Sequence, residues 1–123
     1  HLEMPAVKYR ALADQGGGEP SAAVRERVDR ARLVQRERFA QRHGIYANAH
    51  MAPRDIRTYC RVADGADALL RTAITRLGLS ARAYHRILKI ARTIADLDGA
   101  GDLQPKHVSE AIQYRSLDRR GLT

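Results

Sequence analysis

Arg82 is the residue whose type and position invite a chemical role. It stands in the first turn of an apolar, periodic segment, residues 80–97, that reads as a helix. The first turn of a helix leaves backbone N–H groups without partners and carries a positive partial charge. A cation there is mildly disfavoured unless an anion arrives to meet it. A guanidinium is always charged, and its planar fork of donors matches phosphate oxygens. Arg86 lies one turn further along the same face. It is either a second contact or a solvated neighbour. The residues alone leave two roles open for Arg82: a contact to an incoming phosphate, or a helix-start arginine bonded to a nearby carboxylate.

No other constellation assembles a site. Ser, His and Asp are all present, but no motif sets a nucleophile beside a base. His1, His43, His50, His85 and His107 include no i, i+4 pair, and Cys60 is the single cysteine, so no metal site is expected. Cys60 falls on an apolar helical face and reads as core. His85 falls on the polar side of its helix and reads as surface. The run Gly16-Gly17-Gly18 is followed by no Gly-Lys-Ser/Thr, which excludes a phosphate loop and leaves a linker.

The elements that must position Arg82 follow from spacing. Tyr84, Ile87, Leu88, Ala91, Ile94 and Ala95 repeat at the period of one helical face, widened by Ile90 and Leu97. Such a broad stripe predicts a helix central to the core. Ser80 suits its N-cap, and Gly99 lies just past its end. Upstream, Ala66, Leu69, Leu70, Ala73, Ile74 and Leu77 mark another amphipathic helix, opened by Asp64 and Asp67 as a capping box and stopped by Gly78. Only Leu79 and Ser80 separate the two helices, which predicts a sharp corner.

A first helix is expected over residues 21–42, capped by Ser21, with Val24, Val28, Ala31 and Phe39 as a thin apolar stripe. Its many arginines suit nucleic acid or a neighbouring subunit, or a solvated face laced with pairs such as Glu26–Arg30. Pro53 suits the first position of a short second helix bearing Ile56, Tyr59, Cys60 and Ala63. A last helix begins near Pro105 with Val108, Ala111 and Ile112. Five helices without a clear strand predict an all-α bundle. The alternating His1-Leu2-Glu3-Met4 reads as a lone strand, and residues after Ser116 as a polar, frayed tail.

Bulk properties bound the function. The 123 residues fit one domain with a modest core. No apolar run reaches membrane-span length, and no signal peptide is visible. A single cysteine cannot form an internal disulfide, which fits a cytoplasmic setting. The net charge of +8, carried by 19 Arg and 3 Lys, allows a polyanionic partner or a simple coding bias toward arginine. The start on His1 rather than Met predicts a piece of a longer protein.

Ser80-Ala81-Arg82 opening an apolar helix resembles the sensor-2 motif of AAA+ ATPases in the magnesium-chelatase and replicative-helicase branch. The strings LSARAYHRILKIARTIADLDG and LQPKHVSEAIQYRSLDR resemble the C-terminal lid domain of magnesium-chelatase-related, ComM-like ATPases. SAAVRERVDRARLVQRERF and YANAHMAPRDIRTYC are similar to the same family, so the resemblance covers residues 19–120. The family usually has a hydroxyl residue before the proline of the second helix, where this chain has Ala52.

The resemblance implies residues 1–20 as a flexible segment from an ATPase core, 21–116 as the helical lid and 117–123 as tail. It implies Arg82 as the arginine that reaches ATP phosphate, with Arg86 a weaker candidate. It also implies ATP and magnesium in the full-length protein, none for this chain alone, and no catalysis without the core. The partners implied are that core, neighbouring subunits of a ring, and DNA handled by the motor in helicase-type remodelling. A magnesium-chelatase subunit is the alternative within the family. A free-standing basic nucleic-acid-binding module and a protein-docking adaptor are the alternatives outside it.

Overall fold

The computed structural model describes residues 20–121, with side chains through Arg115. The expected lone strand and the triple-glycine linker lie outside the described residues. Among those residues there are five α-helices: α1 (Ser21–Arg38), α2 (Pro53–Tyr59), α3 (Asp64–Leu77), α4 (Ala81–Leu97) and α5 (Pro105–Gly121). A single 3₁₀ turn, Asn48–His50, precedes α2. The all-α bundle is as expected, and α5 continues past Ser116.

The broad apolar stripe of α4 makes it the central helix. It packs against α1, α2, α5 and the 3₁₀ turn, while α3 packs on α5. Ile87, Ala91 and Ala95 are fully buried, and Leu88 nearly so. They meet Phe39, Met51, Ile56, Leu70, Leu103 and Val108 in one core. Cys60 is buried there, as expected.

Both ends of the α3–α4 corner follow the sequence. Gly78 adopts φ 61°, the left-handed conformation that glycine tolerates. The N–H groups of Gly78 and Leu79 return to the Ile74 carbonyl. Ser80 is extended, and its Oγ accepts from Ala83 N–H at 3.1 Å. At the far end of α4, Gly99 has φ 69°.

Four expected helix boundaries shift. The second helix ends at Tyr59, so Cys60 is its C-cap and Ala63 lies beyond it. The first helix ends at Arg38, not near residue 42, because its last side chains are drawn into tertiary contacts. Phe39 turns into the core and meets Tyr59 edge-on at 5.5 Å between ring centroids. The Arg38 and Arg42 side chains reach carboxylates on other elements. Ser21 is the first helical residue rather than the cap; Pro20 precedes it, and the Pro20 carbonyl accepts from Ala23 and Val24 N–H. Asp64 likewise lies inside α3, and no side chain caps that helix. Ala63 is held extended there by its N–H bond to the Leu103 carbonyl at 3.0 Å. Leu103 N–H in turn reaches the Arg61 carbonyl, so one isolated parallel bridge pins the α2–α3 connection to the α4–α5 loop.

Candidate functional site

The site begins with the corner that presents Arg82. Ser80 satisfies one orphan N–H of the first turn of α4, and no acidic residue lies in that turn. Arg82 is exposed. Among the described residues it makes no hydrogen bond or ion pair. Among the described residues, no carboxylate pairs with it, so none makes it a structural arginine. Its guanidinium stands at the positive end of a helix.

Arg86 is exposed one turn on, and the two arginines do not share a cavity. Arg86 borders an open groove of about 940 Å³ between α4 and α5, which also involves Lys89, Ile90, Ile94, Lys106 and Tyr114. Arg82 does not line it. His85 is half-buried, its ring tilted against Tyr84 at 5.7 Å, rather than fully on the surface.

Sequence spacing missed what holds α4 in place. Arg38, expected either to meet a partner outside the chain or to be solvated, instead clasps Asp96 through two bonds of 2.8 Å. Arg92, only 3% exposed, donates to Asp96 at 3.1 Å and to the carbonyls of Tyr59, Ala100 and Gly101. Asn48 donates to Asp96 and Thr93 and accepts from Arg38. Two guanidinium groups and one amide thus share one buried carboxylate. Among the described residues no buried side-chain nitrogen or oxygen lacks a partner. Such a network is stable only when complete, and it joins α1, the 3₁₀ turn, α2 and the α4–α5 loop to the last turns of α4. The visible signal was the i, i+4 spacing of Arg92 and Asp96 beside the apolar stripe, which reads equally as a surface pair.

A second tie fixes α2. Asp55 is buried and accepts from Arg42 through both carboxylate oxygens, at 2.9 and 3.0 Å. It also accepts from Ala52 N–H at 2.9 Å. Half of a reciprocal cap survives although Ala52 brings no hydroxyl. The Arg42 guanidinium, then the Ala52 N–H, hold the Asp55 carboxyl below the usual carboxylate range. His107 opens α5 in a similar way. Its Nδ1 accepts from Gln104 N–H at 2.9 Å, which leaves Nε2 to donate to Asp98, also at 2.9 Å. That bond and the Lys106 ammonium lower the Asp98 carboxyl. Burial pushes the Cys60 thiol up to about 11, so it is a protonated core group at neutral pH.

Among the described residues no three His, Cys, Asp or Glu side chains group as metal ligands. No described helix is long and apolar enough to cross a membrane. Of the groups an ATP site needs, the chain offers one candidate, the exposed Arg82 guanidinium. No phosphate loop occurs in the sequence.

Residues 18–115 match the family described as magnesium chelatase, subunit ChlI C-terminal, and the chain belongs to it. It is 40% identical over 119 residues to Competence protein ComM of Haemophilus influenzae, covering 96% of this chain and 22% of that protein. It is 39% identical over 119 residues to the protein YifB of Salmonella typhimurium, with the same coverage of each. Against YifB of Escherichia coli it is 41% identical over 103 residues, covering 83% of this chain and 19% of that protein. The chain is thus a ComM-like, magnesium-chelatase-related C-terminal domain that spans about a fifth of the length of these relatives.

Proposed function

We propose that this chain is the helical lid of an oligomeric AAA+ ATPase and that Arg82 is its sensor for nucleotide phosphate. The observation that carries the reading is the exposed guanidinium at the capped start of α4, which has no partner among the described residues. A triphosphate bound to an adjoining ATPase core, together with its magnesium ion, supplies the bond that is cleaved. Arg82 stabilises negative charge there through donors aimed at phosphate oxygens. It is held outward by the Gly78–Leu79–Ser80 corner rather than by packing of its own. The buried Arg38–Asp96–Arg92 cluster ties the far end of α4 to the other elements, so a pull on Arg82 moves the bundle as a body. Nucleotide state is thereby coupled to lid position. Arg86 is a secondary candidate on the same face.

The work driven by this coupling is proposed as DNA remodelling of helicase type within a ring of subunits, in the cytoplasm. The exposed arginines of α1 support a polyanionic partner. Lacking a phosphate loop, the chain by itself should not turn over ATP. Phosphate release from the purified 123-residue chain tests this, and turnover above a contamination control would overturn the lid reading.

A further inference from the structure

The sequence offers no obvious stacking aromatic for nucleic acid, yet the structure presents one. Tyr46 is 71% exposed, the most exposed of the large apolar side chains in the described residues. It is not on a loose loop. Two residues on, Asn48 N–H donates to Gln35 Oε1 at 2.9 Å, and the Asn48 side chain is locked to Asp96, Thr93 and Arg38. The Tyr46 N–H itself donates to His50 Nδ1 at 3.3 Å. The two rings stand nearly perpendicular, at 89° and 6.2 Å between centroids. The backbone here is therefore anchored, and the ring leans on the exposed His50 ring while most of its surface faces water.

Tyr46 borders a shallow cleft of about 370 Å³ against α1, with Arg32, Arg36, Gln35, Asp29 and Ala47 as the other walls. Arg32 and Arg36 are exposed and lie one helical turn apart on one face. Neither makes an ion pair among the described residues, although Asp29 lines the same cleft. An exposed aromatic face on an anchored backbone, beside two guanidinium groups without ion pairs among the described residues, is the combination that binds a strand with splayed bases and a charged backbone. It differs from the Arg82 corner in every residue.

We propose that this cleft binds single-stranded nucleic acid, with a base stacked on Tyr46 and neighbouring phosphates held by Arg32 and Arg36. The proposal stands independently of the role of Arg82. The contacts read the base face and the phosphate and leave the 2′-hydroxyl untouched, so DNA and RNA strands should bind alike.

The chain contains no tryptophan, so tyrosine emission is observable directly. Fluorescein-labelled oligothymidylate is titrated by anisotropy at about 50 and about 200 mM salt, with tyrosine quenching followed using unlabelled strand. Binding at low salt that quenches tyrosine emission is expected, with oligouridylate binding comparably. Tyr46→Ala should weaken binding about tenfold or more and remove part of the quench, whereas Tyr46→Phe should retain affinity. The double change Arg32→Ala, Arg36→Ala should weaken binding and flatten the log–log salt slope by about 1.4, two phosphate contacts on a single strand. Arg71→Ala on α3 should bind as the parent does. All of these side chains are exposed, so unchanged melting curves are expected. Absence of binding at low salt would overturn the proposal. So would a Tyr46→Ala variant with parental affinity and quench. Displacement of the strand by polyglutamate at equal charge concentration would also overturn it, assigning the cleft to acidic protein segments.

Discussion

At the residue scale, an arginine's meaning is set by whether a carboxylate waits for it. Arg38, Arg42 and Arg92 each have one, and each is structural. Arg82 has none. Removing the carboxylate that two of these share should be severe: Asp96→Ala leaves Arg38 and Arg92 buried without a counter-charge. A loss of roughly 3–5 kcal/mol is expected, read as a lowered urea midpoint. A variant within about 0.5 kcal/mol of the parent would show that the network is relieved by water instead. Cys60 provides a second check. With its thiol raised to about 11 and buried, alkylation by iodoacetamide at neutral pH should be slow in the folded chain and fast in denaturant. Mass spectrometry against time distinguishes the two, and fast labelling of the native chain would contradict a core position.

At the scale of the element, α4 was the most legible part of the chain. Its stripe, its Ser80 cap and its terminal Gly99 are all local features, and each one occurs as the sequence implies. Boundaries set by distant partners were not legible. Residues 39–42 have helix-compatible types, but Phe39, Arg38 and Arg42 are claimed by Tyr59, Asp96 and Asp55 across the fold. The start of α3 is set by the backbone of Leu103, forty residues downstream of Ala63, and no side-chain pattern near Asp64 records that. The candidate site divides in the same way. The position of Arg82 is written in the helix start, but only three dimensions show that no described carboxylate reaches it. The exposure of Tyr46 is hidden for the same reason, because a tyrosine between Ile45 and Ala47 reads as readily for core as for surface. The corner itself can be tested. Ser80→Ala should cost about 1 kcal/mol by unsatisfying the Ala83 N–H. Gly78→Ala should cost about as much for conformational reasons alone, since an added Cβ at φ 61° meets nothing within 4 Å. Thermal melts monitored by circular dichroism measure both, and no change in either would remove the corner as a fixed support for Arg82.

At the scale of the whole molecule, carboxylates bind the bundle together, and acid should loosen it in a definite range. Asp55 and Asp98 titrate below their usual range in the folded chain. Depressed folded values mean that their stabilisation is fully present above the unfolded carboxyl range, near pH 4, and is lost as pH falls through the folded values. The urea midpoint should therefore hold steady from neutrality to about pH 5 and fall below about pH 4. Asp55→Asn should lower the neutral midpoint and flatten the acid decline. A decline of parental steepness in that variant would assign acid sensitivity to other groups.

The central claim is that Arg82 serves a phosphate outside this chain and not the fold of the chain itself. Its most direct test pairs two readings of one substitution: a melting curve of the chain and the ATPase rate of a full-length family protein carrying it. Arg82→Ala should leave the melting temperature unchanged, because the side chain is exposed and has no partner among the described residues. The same change should slow turnover by about a hundredfold, the order expected when a charge aimed at the transition state is removed. Arg82→Lys should recover only part, because an ammonium lacks the planar fork. A destabilised chain, or an ATPase rate equal to the parent's, would contradict the account and make Arg82 a structural residue.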